Sequence, residues 1–226
     1  MAIRNEDTAT NEILKDARYH LATIKAHPNT RPLAAGTETA IIFLREKQTG
    51  TERAEDARVE QFALLHRADF EIDERTRTTE LDALVIVNKD RNAIPYRACF
   101  PNGLVSILSL RGEEQARATR TLTAQLRENL QSVATKHASD LDQLATSVVD
   151  VERAWHEAER AAGAAFAEEV IARIGLVRQL QKNEGALAEL FPGQRRRVRS
   201  FFRPTRRRGA VTTDGSTTDT SSQGAS

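Results

Sequence analysis

The sequence predicts an all-α fold, an elongated antiparallel helical bundle of long amphipathic helices with a disordered C-terminal tail. Three observations carry that expectation. Gly and Pro together number 17 in 226 residues and aromatics make up 5%, which is sparse for a many-stranded protein that needs turns and ring residues. Ala, Arg, Leu and Glu are among the most frequent residues, and these side chains lose little rotamer freedom in a helix. Apolar residues also recur three and four apart over long stretches, above all beyond residue 139. A chain of this length buries a sizeable core without disulfide or metal staples.

From about Thr8 to His27, the residues Ile13, Leu14, Ala17, Leu21 and Ile24 fall on one helical face, and Pro28 and Pro32 end that helix. Thr37, after Gly36, stands where an N-cap would open a helix carrying Ile41, Ile42 and Leu44. The stretch Arg45 to Arg58 is almost wholly polar, which fits a loop or a helix projecting beyond the core; Val59, Phe62, Leu65 and Ala68 then resume the pattern. Residues 81–100 read two ways. Leu84 to Val87 before the Asn/Asp-rich run 88–92 resembles a strand entering a hairpin, whereas Leu81, Leu84 and Val87 also form a helical stripe with Thr79 and Asp82 as its capping pair. Helix is preferred, because a lone hairpin is marginal and no other segment extends it. Pro95 would kink that helix, and Pro101-Asn102-Gly103 ends it.

After the apolar run Leu104 to Leu110 and Gly112, residues 113 to about 136 place Ala116, Leu122, Leu126 and Leu130 on one side. Ser139 with Asp142 resembles a capping pair opening a last helix to residue 190, whose stripe runs through Val148, Trp155, Ala162, Ile174 and Leu180 to Leu187. Such a helix spans roughly 75 Å at 1.5 Å per residue and needs partners of similar reach. Phe191-Pro192-Gly193 closes it. The expected organisation is a bundle over residues 1–193, an Arg-rich segment over 194–208, and a Gly/Ser/Thr tail over 209–226 with too little apolar content to fold.

Formal charge is +1, from 33 basic and 32 acidic residues, but the sum hides an asymmetry. Eight Arg and no acid lie in 195–208, so residues 1–193 carry a net of about −5. Asymmetry of this kind speaks about partners. The candidate polyanion-binding residues are Arg195, Arg196, Arg197, Arg199, Arg203, Arg206, Arg207 and Arg208, since clustered guanidinium groups suit bidentate phosphate contacts. In a helical segment Val198, Phe201 and Phe202 share a face. That face either packs against the bundle, leaving the Arg residues to solvent or the acidic body, or enters an anionic membrane surface while the Arg residues hold headgroups. Nucleic acid and an acidic protein are the remaining candidates.

Elsewhere the chemistry is thin. Cys99 stands alone, which excludes an intramolecular disulfide and leaves no structural zinc set; nothing near it supplies a base, so it reads as a small buried hydrophobe. His66 with Asp69, His137 with Asp140 and His156 with Glu159 share the i,i+3 spacing, but inward di-metal sites use Glu-x-x-His, and the residues three before the five His are Ala17, Ile24, Ala63, Ala134 and Arg153. These pairs read as local ion pairs on solvated faces. No Gly-rich phosphate loop exists. Trp155 sits in register with the apolar stripe, which makes it a core residue before it is a partner's anchor. The N-terminus lacks the apolar core of a secretory signal, and no apolar run approaches the roughly 20 residues of a membrane span. The sequence therefore predicts a soluble, cytoplasmic protein with no catalytic residue, cofactor or metal assigned. Its expected role is non-catalytic: a helical interaction or scaffold protein that binds another copy or another protein. The alternative is a nucleic-acid-binding protein whose Arg-rich segment clamps phosphates without sequence preference.

Overall fold

Helix accounts for most of residues 7–204, the part of the chain that a computed structural model describes, and no strand occurs among them. The order is α1 (Thr10–Ala26), a 3₁₀ segment (Pro28–Leu33), α2 (Ala34–Ile86), α3 (Ile94–Cys99), α4 (Val105–Leu108), α5 (Gly112–Asn129), α6 (Gln131–Leu190) and α7 (Arg195–Ser200). The all-α expectation holds. The tail from Gly209 onward lies outside the described residues.

Contacts divide the chain into two units, one built from residues 1–41 with 173–226 and the other from 42–172, so that α2 and α6 contribute to both. In the first unit α1 turns its apolar stripe inward: Ile13, Leu14, Ala17 and Ile24 are buried with Leu176, Val177, Leu180 and Leu187 of α6. Pro28 opens the 3₁₀ segment, and its last turn passes directly into α2, with the Ala34 N–H bonded to the Arg31 carbonyl. A helix entered this way needs no side-chain cap. Thr37 is accordingly a fully buried residue in the first turn of α2, not the N-cap its sequence position suggests.

In the second unit α2 and α6 run antiparallel. Lys47 pairs with Glu168, Arg75 with Asp140 and Asp82 with His137, so the residue numbers descend on one helix as they climb on the other. The polar stretch Arg45 to Arg58 is helix throughout. It is tied to α6 by the Lys47 ion pair and by the Thr51 hydroxyl, which donates to the Ala165 carbonyl at 3.2 Å. Helix also wins over hairpin at 81–86, as expected, but α2 simply continues from Ala34 and Thr79 caps nothing; its hydroxyl donates to the Arg75 carbonyl within the helix. The Asn-rich run is the C-terminal cap. Asn88 and Lys89 adopt φ of 52° and 63°, Lys89 N–H bonds Leu84 O and Asn88 N–H bonds Val85 O, the 6→1 and 5→2 pair of a Schellman motif. Pro95 occupies the first turn of α3, where its missing N–H costs nothing, and does not kink a longer helix.

The junction between α5 and α6 also departs from the expected start at Ser139. Leu130 alone breaks the helix, with φ −139° and ψ 62°, and its side chain is buried in the core with Leu122, Leu126 and Leu141. Burial of that leucine, worth roughly 1.5–3 kcal/mol, holds a turn that carries neither Gly nor Pro. α5 starts at Gly112, whose φ of +56° an L side chain adopts only under strain. Glu152 of α6 reaches across to accept the Glu113 N–H at 2.8 Å, which caps α5 from another helix. Two apolar clusters result. One gathers Tyr96, Cys99, Phe100 and Ile107 of the α3–α4 corner against α5 and α6; the other joins Ala68, Ile72, Ala116, Ala145 and Val148. Beyond the N-terminus of α5 this support stops: no α2 residue from 45 to 67 and no α6 residue from 149 to 161 is buried.

Candidate functional site

The Arg-rich segment begins as a short helix. Gly193 takes φ +76° and turns the chain, and α7 then presents Val198 to the interior of the first unit. Phe201 and Phe202 follow in the same direction, 6% and 7% exposed. Phe202 stacks on His20 with ring centroids 4.4 Å apart, and Phe201 stacks on Phe191 at 5.9 Å while meeting His27 edge-on. The apolar face anticipated from the sequence therefore exists and packs against the bundle. It is not available for insertion into a membrane, which corrects the reading of peripheral membrane contact through the Phe pair. Within residues 194–204, Val198, Phe201 and Phe202 are buried in the first unit, while the arginines around them stay exposed.

A buried polar cluster holds this seat. His20 has no exposed surface, and its Nδ1 lies 3.1 Å from the Phe201 carbonyl. A carbonyl only accepts, so Nδ1 carries the proton and Nε2 is left as an acceptor. That acceptor receives the Asn183 amide at 3.0 Å; the same amide nitrogen donates to the Thr37 hydroxyl at 2.8 Å, and Asn183 Oδ1 accepts from Gln179 at 2.9 Å. Thr23 supplies a second donor to the Phe201 carbonyl at 2.9 Å. Burial pulls the His20 pKa below its usual 6.5 against the smaller opposing effect of the Phe201 hydrogen bond. The imidazole is thus held neutral in one tautomer, with both nitrogens used. Sequence reasoning missed this cluster, although a signal was present: His20 falls three after Ala17 and four before Ile24, and Asn183 interrupts the stripe between Leu180 and Leu187. Polar residues in register with an apolar stripe must find partners inside.

The structure splits the candidate arginines. Arg197 lies over the Phe191 ring at 4.1 Å and donates to His27 Nε2 at 2.8 Å. Arg203 pairs with Asp16 at 3.2 Å and Glu12 at 3.5 Å on α1. Both are committed to the fold. Arg195, Arg196 and Arg199 are exposed and make no ion pair among the described residues. Arg195 and Arg199 border an open hollow of about 470 Å³ between α7 and the end of α6, with Glu184 and Gln194 on its rim. Arg206, Arg207 and Arg208 lie outside the described residues.

The other candidates resolve into structure. His137, 1% exposed, bonds Asp82 of α2 at 2.6 Å and not Asp140, which pairs with Arg75 instead. Lys136 foremost, and then His137, hold the Asp82 carboxyl below its usual pKa. His156 does approach Glu159, at 3.7 Å on an exposed face. Among the described residues no three His, Cys, Asp or Glu side chains converge in a geometry that could hold a metal. Cys99 is buried, and burial pushes its thiol up to about 11, away from nucleophilic use. Tyr96 donates to Glu80 at 2.8 Å, which also receives Arg91 at 3.1 Å; burial first and this bond second raise the phenol to about 12. That trio fastens the turn after α2 to α3. Trp155 is half-buried, 6.1 Å from Phe62, and its indole N–H is enclosed without a hydrogen-bond partner. No described helix is long and apolar enough to cross a membrane. No known protein family, curated protein or solved structure matches the chain.

Proposed function

We propose that this protein is a non-catalytic helical scaffold whose long helix faces bind other protein surfaces, in the manner of a coiled coil that recruits further helices. The observation that carries this reading is the stretch of α2 and α6 beyond α5. There, Val59 is 60% exposed and Phe62, Leu64 and Phe166 about half exposed, on helices whose neighbouring stretches bury residues of the same kind. Large exposed apolar side chains grouped on one element mark interaction surfaces. Chemical cross-linking of the full-length protein, read by mass spectrometry, tests it: partner cross-links should concentrate within residues 45–74 and 149–171 and should drop in a Val59→Glu, Phe62→Glu variant. A chain without such cross-links that turns over a substrate as a monomer refutes the reading.

A second reading has its own observation. Arg195, Arg196 and Arg199 face solvent unpaired on one short helix, just ahead of three more arginines in sequence, so the segment can bind phosphate backbones such as nucleic acid. Fluorescence anisotropy with a DNA duplex should then give an affinity whose logarithm falls with log salt at ~0.9 per phosphate neutralised. Replacing Arg195, Arg196 and Arg199 by Ser should reduce that slope. An unchanged slope excludes these arginines as the contact.

A further inference from the structure

The scaffold reading names no partner, and the inference drawn from α2 rests on that reading while supplying one. Along α2, Val59, Ala63, His66 and Phe70 follow one another at spacings of four, three and four, with Phe62 beside Ala63, and all are exposed. They form one stripe on the helix. Beside it, on the solvent side, runs a row spaced by seven: Arg53, Glu60, Arg67 and Glu74, also exposed and alternating in sign. Two copies of α2 laid antiparallel about a two-fold axis between Ala63 and Leu64 bring residue i opposite residue 127 − i of the other copy. Glu60 then meets Arg67, and Arg53 meets Glu74, each pair formed twice by symmetry. The small side chain of Ala63 sits at the crossing, where the helices can approach closely. In a parallel arrangement the two rows lie on opposite edges of the shared face and do not meet, so only the antiparallel orientation uses the alternation.

We infer that a second copy of this chain docks on this stripe of α2, forming an isologous antiparallel dimer. The footprint is adequate. Arg53 to Glu74 spans about 32 Å of helix, and with α6 alongside, where Trp155 stands next to Phe62, the two-helix face is about 20 Å wide. That gives on the order of 600 Å² per copy, which doubled reaches the low end of specific interfaces. Such a pairing joins four helices over a stretch where no described α2 residue from 45 to 67 is buried in the single chain. In the isolated chain Arg67 rests on Glu71 at 2.5 Å and over the Phe70 ring; such exposed pairs are weak and exchange readily for an intermolecular one.

Sedimentation equilibrium of the full-length protein decides the matter, with Glu60→Arg, Arg67→Glu and an equimolar mixture of the two. Both substitutions are on the surface, and circular dichroism verifies that the helices remain. Wild type should dimerise reversibly. Each single variant sets like charges opposite each other twice and should dimerise about tenfold more weakly or not at all. In the mixture, one copy carries arginine at both of these positions and the other copy carries glutamate at both, so a heterodimer should form where neither variant pairs with itself. Wild type that stays monomeric up to about 0.5 mM, a range that populates even a weak interface, overturns the inference. So does a dimer indifferent to both charge reversals. That second outcome leaves the scaffold reading intact, since association would then use another face, whereas absence of every cross-linked partner removes the reading itself.

Discussion

Ending the chain at Gly193 looks from the sequence like a clean excision of a charged tail. The structure predicts damage to the fold instead. The cut removes Val198, Phe201 and Phe202, each under 10% exposed in the first unit, and leaves His20 without the carbonyl that receives its Nδ1 proton. Each side chain contributes about 1.5–3 kcal/mol of apolar burial, on the order of 5–9 kcal/mol for the three, which rivals the whole stability of an ordinary domain. A version ending at Pro204 loses none of these contacts. Hydrogen exchange read by mass spectrometry should show α1 peptides almost unprotected in the Gly193 version and protected as in the full chain in the Pro204 version, with α5 peptides as internal reference. Equal protection of α1 in the two versions would refute the idea that α7 and its phenylalanines are part of this core. The same comparison warns that lost polyanion binding after removal of residues 194–226 would confuse unfolding with loss of charge.

Other expectations concern single groups. Because burial lowers the folded-state pKa of His20, the folded chain binds fewer protons than the unfolded one; this contribution is complete above about pH 6.5 and is lost as pH falls from there through the lowered value. Exchange protection of α1 should decline between about pH 7 and pH 5, and a His20→Gln variant should flatten that dependence; a profile identical to wild type would count against the assignment. Gly112→Ala should destabilise the second unit by about 1–2 kcal/mol in urea titrations, since its Cβ would run into the Glu152 carboxylate at a backbone of φ +56°. A loss below about 0.5 kcal/mol, the level of a neutral surface change, would show that the cap simply swings away. Cys99 should react with a thiol reagent only on unfolding, because at about pH 8 a thiol raised to about 11 is roughly one part in a thousand thiolate, and it is buried besides; rapid native labelling would contradict this.

Much of the fold was legible from the chain because it is written in periodicity. Ile13 to Ile24 and Leu141 to Leu187 repeat at helical spacing, and no segment offers enough turn chemistry to compete. Boundaries were less legible where tertiary burial makes them. Leu130 ends a helix with no Gly or Pro nearby, and Ser139 and Thr79 look like caps but lie within helices, the Thr79 hydroxyl bonding back to the Arg75 carbonyl and Ser139 facing solvent. Of the arginines, the sequence shows eight equivalent cations. Only packing separates Arg197 and Arg203, fixed by Phe191, His27, Asp16 and Glu12, from Arg195, Arg196 and Arg199, which remain free for another molecule.

The chain by itself determined its helical class, most of the faces that α1, α5 and α6 bury and the charge asymmetry between body and C-terminal segment. Each is a local pattern of side-chain preference and spacing, readable over a few turns. Tertiary structure decided that Phe201 and Phe202 are core, that His20 is a neutral clasp, and that the apolar stripe from Val59 to Phe70 stays uncovered. These are questions of which surfaces meet. Their answers depend on contacts such as His20 to Phe201, 181 residues apart, whose energy no local spacing records.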